Sequence, residues 1–365
     1  MAGIYISYPF CAQKCTYCNF ASGVFPREVE AQYMAALREE VRRHQWRWIP
    51  ETLYLGGGTP SSMDQADFES LSRILPAVPF REATLEASPG TITAEKVRFW
   101  TGAGINRVSL GVQSFVRGEI ARSGRKHTAE SVAADVETLR SGGISNINID
   151  LIAGLAGQTE AGWRESLEWV RRLNPPHVSV YMLEIDSDSR LGQEMLLGGV
   201  RYGAPDAPSE ELTADLYEMA VGELARMGIH RYEISNFARA GMESVHNMKY
   251  WRLEPYAGFG ADAHSFDAGM RWQNAESPGD YVLRMQNGGP AAVESHEANA
   301  REEKFFVGLR LSEGVRPSAE EWREFAEPIQ RFVDDGLLET RGEMLQLTSR
   351  GVLFSNEVFQ EFLHL

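Results

Sequence analysis

The sequence predicts an α/β fold: six βα units forming a barrel-type parallel sheet, then a smaller, mostly helical C-terminal module that carries a hairpin. Three observations predict it. Short β-rich runs alternate with stretches of helical period. The run ends carry polar or glycine residues that packing alone does not require. From residue 291 the rhythm changes to helix, helix, hairpin, helix. A chain of 365 residues, 43% apolar and 24% charged, suits one large domain with an appendage and can bury a sizeable core.

The β-rich runs are Ile4–Tyr8, Thr52–Leu55, Thr84–Ala87, Arg107–Leu110, Asn146–Ile149 and His177–Val180. Between them Tyr33, Leu37 and Val41 recur at helical spacing, as do Phe68, Leu71 and Leu75, and then Trp163, Leu167 and Val170. A helical stretch, Glu210–Met227, leads to one more apolar strand at Arg231–Ser235. Gly-, Pro- and Asn-rich turns are expected from Asn236 to about Pro290. Helices then follow at Glu302–Leu311 and Ser318–Asp335, with a hairpin at Leu337–Thr348 turning on Arg341-Gly342-Glu343 and a last helix. That order resembles a winged helix. The expected division is 1–235, 236–290 and 291–365.

Charge narrows the partners. A net charge of −15 argues against a nucleic-acid backbone as the main partner. Residues 291–365 hold 15 acidic and 8 basic side chains, so the winged-helix-like module reads as a lid or interaction domain and not a DNA reader. No run approaches the roughly 18 apolar residues of a membrane span. The N-terminus, Met1-Ala2-Gly3-Ile4-Tyr5, lacks the basic-then-apolar order of a signal peptide, and the expected location is the cytoplasm.

All three cysteines, Cys11, Cys15 and Cys18, fall within eight residues after the first strand. An odd, crowded set is a poor disulfide framework and points to metal. The other run ends add to it. The second leads into Gly56-Gly57-Gly58-Thr59-Pro60, the third ends near Glu86, and the fourth runs into Gly111-Val112-Gln113-Ser114. The fifth ends at Asp150, and the sixth is followed by Tyr181 and Glu184. Taken singly, each has an ordinary explanation. Glu86 could sit at a helix N-terminus, Asp150 could cap a turn, Gln113 could tie down a loop, and glycine triplets are common turns. In a barrel of parallel strands, however, all these ends share one face, and that face carries the active site.

The spacing Cys-x-x-x-Cys-x-x-Cys selects the metal. Structural zinc wants four protein ligands, and catalytic zinc rarely takes three thiolates. A [4Fe–4S] cube held by three thiolates keeps one iron open. That iron can chelate the amino and carboxylate groups of S-adenosylmethionine, and an electron from the cluster can then cleave the sulfonium to a 5′-deoxyadenosyl radical. The protein supplies position and electrostatics. A glycine turn lets backbone groups approach the cofactor, and a carboxylate accepts from ribose hydroxyls.

With these residues in view, the sequence resembles the radical SAM superfamily and, within it, the HemN/HemW group. The likeness spans nearly the whole chain. It rests on Tyr5, Pro9-Phe10-Cys11, Cys15, Cys18 and Phe20, and on Gly56–Ser61, Asn106-Arg107 and Gly111–Phe115. Asp150-Leu151-Ile152, Gly154-Leu155, Ser179–Tyr181, Tyr232–Ala238, His246–Trp251 and Gly258–Gly260 complete it. The resemblance implies a partial (β/α)6 TIM-type barrel, with Cys11, Cys15 and Cys18 as cluster ligands. It implies S-adenosylmethionine contacts at Tyr5, Tyr17, Gly57, Gly58, Thr59, Glu86, Gln113, Arg125 and Asp150. Arg125 enters only through the resemblance.

The group joins oxygen-independent coproporphyrinogen III dehydrogenases, HemN, to a haem-chaperone branch, HemW. HemN carries a further cysteine two residues after the third, where this chain has Phe20, and a long N-terminal arm where this chain starts its first strand at once. Both features place the sequence with the chaperones. The segment His246–Trp251 looks like that branch's HNxxYW signature, which makes His246 a candidate haem ligand beside its reading as a hydrogen-bonded structural residue. The implied partners are haem or porphyrin as cargo, a flavodoxin-type reductant and haem-acceptor proteins, membrane-bound ones included. No residue is assigned as catalytic, and whether the chain is an enzyme stays open. Two positions depart from the family pattern. Ser7 stands where a histidine is usual, and Ala156 replaces a proline in a turn.

Overall fold

In the computed structural model, residues 2–187 and 189–363 are described; Met1, Asp188, His364 and Leu365 lie outside the described residues. The six expected strands are all present: β1 (Ala2–Tyr8), β2 (Pro50–Gly57), β3 (Glu82–Ala87), β4 (Arg107–Gln113), β5 (Asn146–Ala153) and β6 (His177–Met182). Each pairs in parallel with the next. Most run further than the apolar pattern suggests, into Gly57, Gln113 and Ala153, because the neighbouring strand supplies hydrogen bonds that no local pattern announces.

Helices coat the outer face. Ile4 and Ile6 of β1 share a core with Tyr33 and Leu37 of the helix Arg27–Arg43. Threonine and serine side chains start the following helices: Thr128 forms a full capping box with Ser131, and Thr159 and Ser209 cap the helices Glu160–Leu173 and Glu210–Arg226. Those two helices are tied together by the buried Trp163, whose indole Nε1 donates to the Leu216 carbonyl at 2.7 Å.

The strand expected at Arg231–Ser235 is instead a tight return. The chain pairs at β7 (His230–Arg231) and β8 (Asn236–Ala238), both antiparallel, with β8 against β6. Between them Glu233 accepts from the Ser235 N–H at 3.1 Å and from the Asn236 amide, which folds residues 232–235 into a turn. The region expected as turns up to Pro290 is also more ordered. It holds the helix Val245–Trp251, then β9 (Tyr256–Phe259), β10 (His264–Asp267), β11 (Met270–Asn274) and the helix Pro278–Gln286. Strand β9 pairs in parallel with β1, and β10, β11 and β12 (Ala292–Glu297) extend that edge antiparallel. One twelve-stranded sheet results.

The helical C-terminal region holds the hairpin of β13 (Leu338–Arg341) and β14 (Met344–Leu347). The helix expected over 318–335 is two helices, Ala319–Glu324 and Ala326–Asp334. Pro328 lies near the start of the second, where its ring would clash with the carbonyl four residues back in a continuous helix. Phe305 packs at 4.7 Å from Phe325 and 4.8 Å from Phe362 to form this region's centre.

The inside of the barrel wall is polar. On β5 the alternation Asn146, Asn148, Asp150 points every second residue inward. The Asn148 amide donates to Ser109, Asp150 and Ser179, and Ser179 donates to Asn236, which links β4, β5, β6 and β8. At the N-terminal end of the strands the helix Val245–Trp251 closes the barrel. Buried Glu82 of β3 accepts from Ser244 Oγ (3.1 Å), Val245 N–H (2.9 Å) and His246 N–H (2.9 Å). Gly3 allows that helix in: a Cβ there would lie 2.9 Å from Thr52 Oγ1 and 3.0 Å from His246 Cε1.

Candidate functional site

At the opposite end, the loop after β1 is pinned on two sides. Cys11 N–H donates to the Gly23 carbonyl (2.8 Å) and Gly23 N–H to that of Pro9 (2.9 Å), closing the loop's base. Its far side leans on residues 122–124: Thr16 donates through its N–H to Ser123 (3.2 Å) and through Oγ1 to Arg122 (3.3 Å), while Gln13 donates to Gly124. Leu191 N–H donates to the Thr16 carbonyl at 2.8 Å, and Asn19 donates to Asp186 at 3.0 Å. Within this frame Cys11, Cys15 and Cys18 are free thiols, half-buried; burial raises the Cys11 pKa above the ordinary thiol value. Cys18 Sγ lies 3.9 Å from Ser22 Oγ.

The glycine turn after β2 lies against that loop. Gly58 N–H donates to the Tyr8 carbonyl (2.8 Å) and Thr59 N–H to that of Phe10 (2.9 Å). A Cβ on Gly58 would stand 2.7 Å from the Phe10 carbonyl oxygen, so only glycine lets the strands converge. Gly57 has φ +106° and donates its N–H to Glu86 at 3.1 Å. Glu86 also accepts from the Tyr54 hydroxyl at 2.8 Å. Burial, with nearby Asp150 adding to it, pushes Glu86 up to about 7. Tyr5 stacks on Tyr54 at 6.0 Å. Tyr5, Ser7, Gly57, Glu86 and the 67% exposed Phe20 line a cavity of about 140 Å³.

Strands β4 and β5 supply the other wall. Arg125 donates to the Gly111 carbonyl (2.7 Å) and to the Tyr17 hydroxyl (3.2 Å), which places a cation beside the cysteine loop. Gln113 holds φ +69°, a strained value for a residue with a Cβ, and its Oε1 is buried without a partner. Asp150 accepts from Asn148 at 2.7 Å and Ser109 at 3.2 Å; burial raises its pKa above the ordinary carboxylate value. Tyr17, Gly57, Gly58, Thr59, Glu86, Gln113 and Arg125 thus lie at or beyond the strand C-terminal ends with the three cysteines, while Tyr5 and Asp150 lie deeper, within β1 and β5. Sequence reasoning missed Tyr54, Ser109 and Asn148, which hold the two carboxylates. The Asn-Ile-Asn-Ile-Asp alternation in a buried strand was the available signal.

The donor set is three thiols on one loop. Among the described residues no group of three His, Cys, Asp or Glu is gathered tightly enough for one metal ion. A [4Fe–4S] cube asks for one thiolate per iron. Three half-buried thiols, an orphaned Gln113 oxygen and a glycine turn open to close approach fit a cluster with a polar organic ligand beside it.

His246 lies elsewhere. It is buried at the closed end; Nδ1 lies 2.8 Å from Thr52 Oγ1 and Nε2 2.8 Å from the Tyr250 hydroxyl. Burial and the Lys249 and Arg107 cations lower its pKa to about 3. Both ring nitrogens of this candidate haem ligand are engaged, and it stands apart from the mouth residues. A buried imidazole keeps its partners because losing them is costly.

A model of the radical SAM superfamily matches residues 5–170, and one of the HemN C-terminal domain matches 296–354. The haem chaperone HemW of Bacillus subtilis (strain 168) is 34% identical over 381 positions, covering 100% of this chain and 99% of the relative. The chain belongs to the HemW family. The HemW proteins of Lactococcus lactis subsp. lactis (strain IL1403) and Escherichia coli (strain K12) are 33% and 30% identical, covering 98% and 99% of this chain and 96% and 97% of theirs. Coproporphyrinogen III oxidase (HemN) of Escherichia coli, described as a radical SAM enzyme, superposes with a TM-score of 0.84 at 23% identity, over 99% of this chain and 89% of that one. That likeness is one of fold: HemW and HemN share the α/β radical SAM architecture and the helical C-terminal region.

Proposed function

We propose that this chain is a haem chaperone of the HemW type. It holds a [4Fe–4S] cluster on Cys11, Cys15 and Cys18, binds S-adenosylmethionine at the barrel mouth, and carries haem to acceptor proteins. The observation that carries this reading is the combination of a full-length likeness to chaperones named HemW with a mouth that gathers three free thiols and the unsatisfied Gln113 Oε1. When bound, the cluster supplies an electron to the sulfonium of S-adenosylmethionine.

The chain's own residues do the positioning. The Gly57–Thr59 turn presents backbone to the methionyl end of the ligand, and the Glu86 carboxylate accepts from its ammonium or hydroxyl groups. Gln113 Oε1 finds there the donor it otherwise lacks, Asp150 accepts from the ribose, and Arg125 steadies Tyr17 and offsets thiolate charge near Cys15. Tyr5 gives an aromatic wall. A flavodoxin-type reductant would reach the cluster from the open side. Among the described residues no helix is long and apolar enough to cross a membrane, and we place the protein in the cytoplasm, with acceptors that include membrane proteins.

A second reading, coproporphyrinogen III dehydrogenase, draws support from the same complete mouth. Phe20 in place of a further cysteine, and Ser7 in place of a histidine proton donor, favour the chaperone. The deciding experiment incubates cluster-reconstituted protein anaerobically with S-adenosylmethionine, a reductant and coproporphyrinogen III, and quantifies 5′-deoxyadenosine and porphyrins together. A chaperone leaves coproporphyrinogen intact while binding haem. Matched yields of 5′-deoxyadenosine and protoporphyrinogen would overturn that reading in favour of the enzyme.

A further inference from the structure

Charge is spread unevenly over this chain. Its net charge is −15, yet residues 1–27, which carry the cysteine loop, contain no Asp or Glu. Lys14, beside Cys15, donates to the Phe20 carbonyl at 3.4 Å, and Arg190 donates to the Lys14 carbonyl at 3.4 Å. Gly124 accepts from Gln13 of the same loop, which brings the exposed Arg122 and Lys126 to this flank. The Arg122 side chain lies across Gly157 and Gly203, where an added Cβ would strike it, and so reaches the segment of the exposed Arg201. None of these five cations forms an ion pair among the described residues. Exposed Arg73, Arg164 and Arg172, by contrast, are each neutralised by a glutamate one turn back. The acids nearby are engaged. Glu119 is buried and accepts from Ser114 (2.6 Å) and Gln158 (3.2 Å), Glu194 from the Arg201 N–H (3.1 Å) and Asp186 from Asn19 (3.0 Å), with exposed Asp206 at the end of the segment.

An apolar knob adjoins the cations. The helix Arg190–Leu196 is tied to the cysteine loop by the Leu191 N–H, which donates to the Thr16 carbonyl at 2.8 Å. It runs out into Leu196, Leu197 and Val200, which are 75%, 84% and 78% exposed. Three such aliphatics within five residues form a patch, where single exposed ones would need no explanation. An apolar centre edged by charged side chains is the make-up of a protein interface. Neither the cations nor the knob lines the mouth cavity, so a partner here leaves that cavity open.

We propose that the flank formed by Lys14, Arg122, Lys126, Arg190 and Arg201 around the 196–200 knob is the docking surface for an acidic one-electron donor protein of the flavodoxin type. The proposal rests on the reading of Cys11, Cys15 and Cys18 as cluster ligands and names where the reductant sits. The acidity of the whole chain opposes an anionic bilayer, whereas unpaired cations on one flank steer an acidic protein to it. Lys14 is one residue from a cluster ligand, so a donor seated on it delivers its electron over a short path. That electron leaves the anionic flavin hydroquinone, which becomes the neutral semiquinone, and takes the cluster from the 2+ to the 1+ state. No bond forms or breaks.

The test mixes cluster-reconstituted, full-length protein with flavodoxin hydroquinone by stopped flow at low and high salt, and measures affinity for oxidised flavodoxin by calorimetry. In wild type the second-order rate should fall steeply as salt rises. Lys126→Glu/Arg190→Glu should lower rate and affinity at least about tenfold at low salt and flatten the salt dependence. Arg201→Glu, on a separate segment, should move both in the same direction. Arg98→Glu/Arg323→Glu, at exposed positions outside this flank, changes the net charge equally and should behave as wild type. Iron content, and reduction by the small cation methyl viologen in its reduced form, should match in all four proteins. Wild-type rate, affinity and salt dependence in the two flank variants would overturn the docking surface and leave the cluster and chaperone readings standing. Loss of binding to anionic phospholipid vesicles, with flavodoxin kinetics unchanged, would make the flank a lipid contact and overturn it too. Wild type that takes up no iron and sulfide would overturn the cluster reading itself.

Discussion

The two ends of this barrel are built from the same strands and behave as opposites. At the closed end most exchangeable groups around the helix Val245–Trp251 are answered, the buried Trp251 indole Nε1 excepted: Glu82 takes three donors, His246 uses both nitrogens, and Lys249 reaches Glu51 at 2.7 Å and Glu254 at 3.2 Å. At the mouth the thiols are free, Gln113 is strained with an orphaned oxygen, and two neighbouring carboxylates have raised pKa values. A dense network of buried hydrogen bonds holds a fold, whereas a strained, partnerless side chain beside free thiols leaves room for a ligand. A signature such as His246–Trp251 can therefore mark structure as readily as binding.

The sharpest break of this contrast is at the thiols. Cys15→Ala should abolish cluster assembly altogether, read as iron and sulfide content after anaerobic reconstitution. The unfolding free energy of the apoprotein should change by no more than about 0.5 kcal/mol, because Tyr17, the thiol's neighbour, is also held by Arg125. A large loss of stability would make the cysteine loop structural. At the other end the result should invert. Glu82→Ala leaves three donors and the buried Arg107 cation uncompensated, and should cost about 4 kcal/mol in denaturant unfolding. The fraction that remains folded should load iron as wild type does.

That inversion also measures what the sequence can tell. The six parallel strands were legible because each is an apolar run between turn residues, and the mouth because strand ends share one face. Strand β9 was not legible: Tyr-Ala-Gly-Phe has little strand character, and it becomes one by pairing with β1 some 250 residues away. Tyr54 was hidden in the same way, since its role depends on Glu86 arriving from the next strand. His246 shows the reverse. Its motif was easy to see, but the hydroxyls that meet its ring come from Thr52 on a distant strand and from Tyr250 one helical turn on.

A smaller effect separates the ends by pH. Glu86 titrates near 7 in the fold against an ordinary value of 4.5, so the folded state binds its proton more tightly. Below about 4.5 the burial carries no ionic penalty. As pH climbs from there to about 7, the apoprotein should lose up to about 1.4 kcal/mol per pH unit. Glu86→Gln should flatten that slope; an unchanged slope would reassign it, with Asp150 next in line because its pKa is raised for the same reason. A cationic ligand at the mouth favours the carboxylate, so S-adenosylmethionine affinity should rise across the same window in wild type and not in Glu86→Gln, as followed by calorimetry.

The smallest expected effect sits at the closed end and bears on both readings of His246. Tyr250→Phe removes the hydroxyl 2.8 Å from His246 Nε2 and leaves the ring in place against His246 and Tyr256. One buried neutral hydrogen bond is lost, so unfolding should become easier by about 1 kcal/mol, with no change in iron loading. The freed Nε2 makes the variant informative about cargo as well. If this nitrogen were the natural haem ligand, releasing it should strengthen haem binding and shift the Soret band. If the helix is a plug, the nitrogen stays walled off by the barrel strands, and removing its partner changes stability alone.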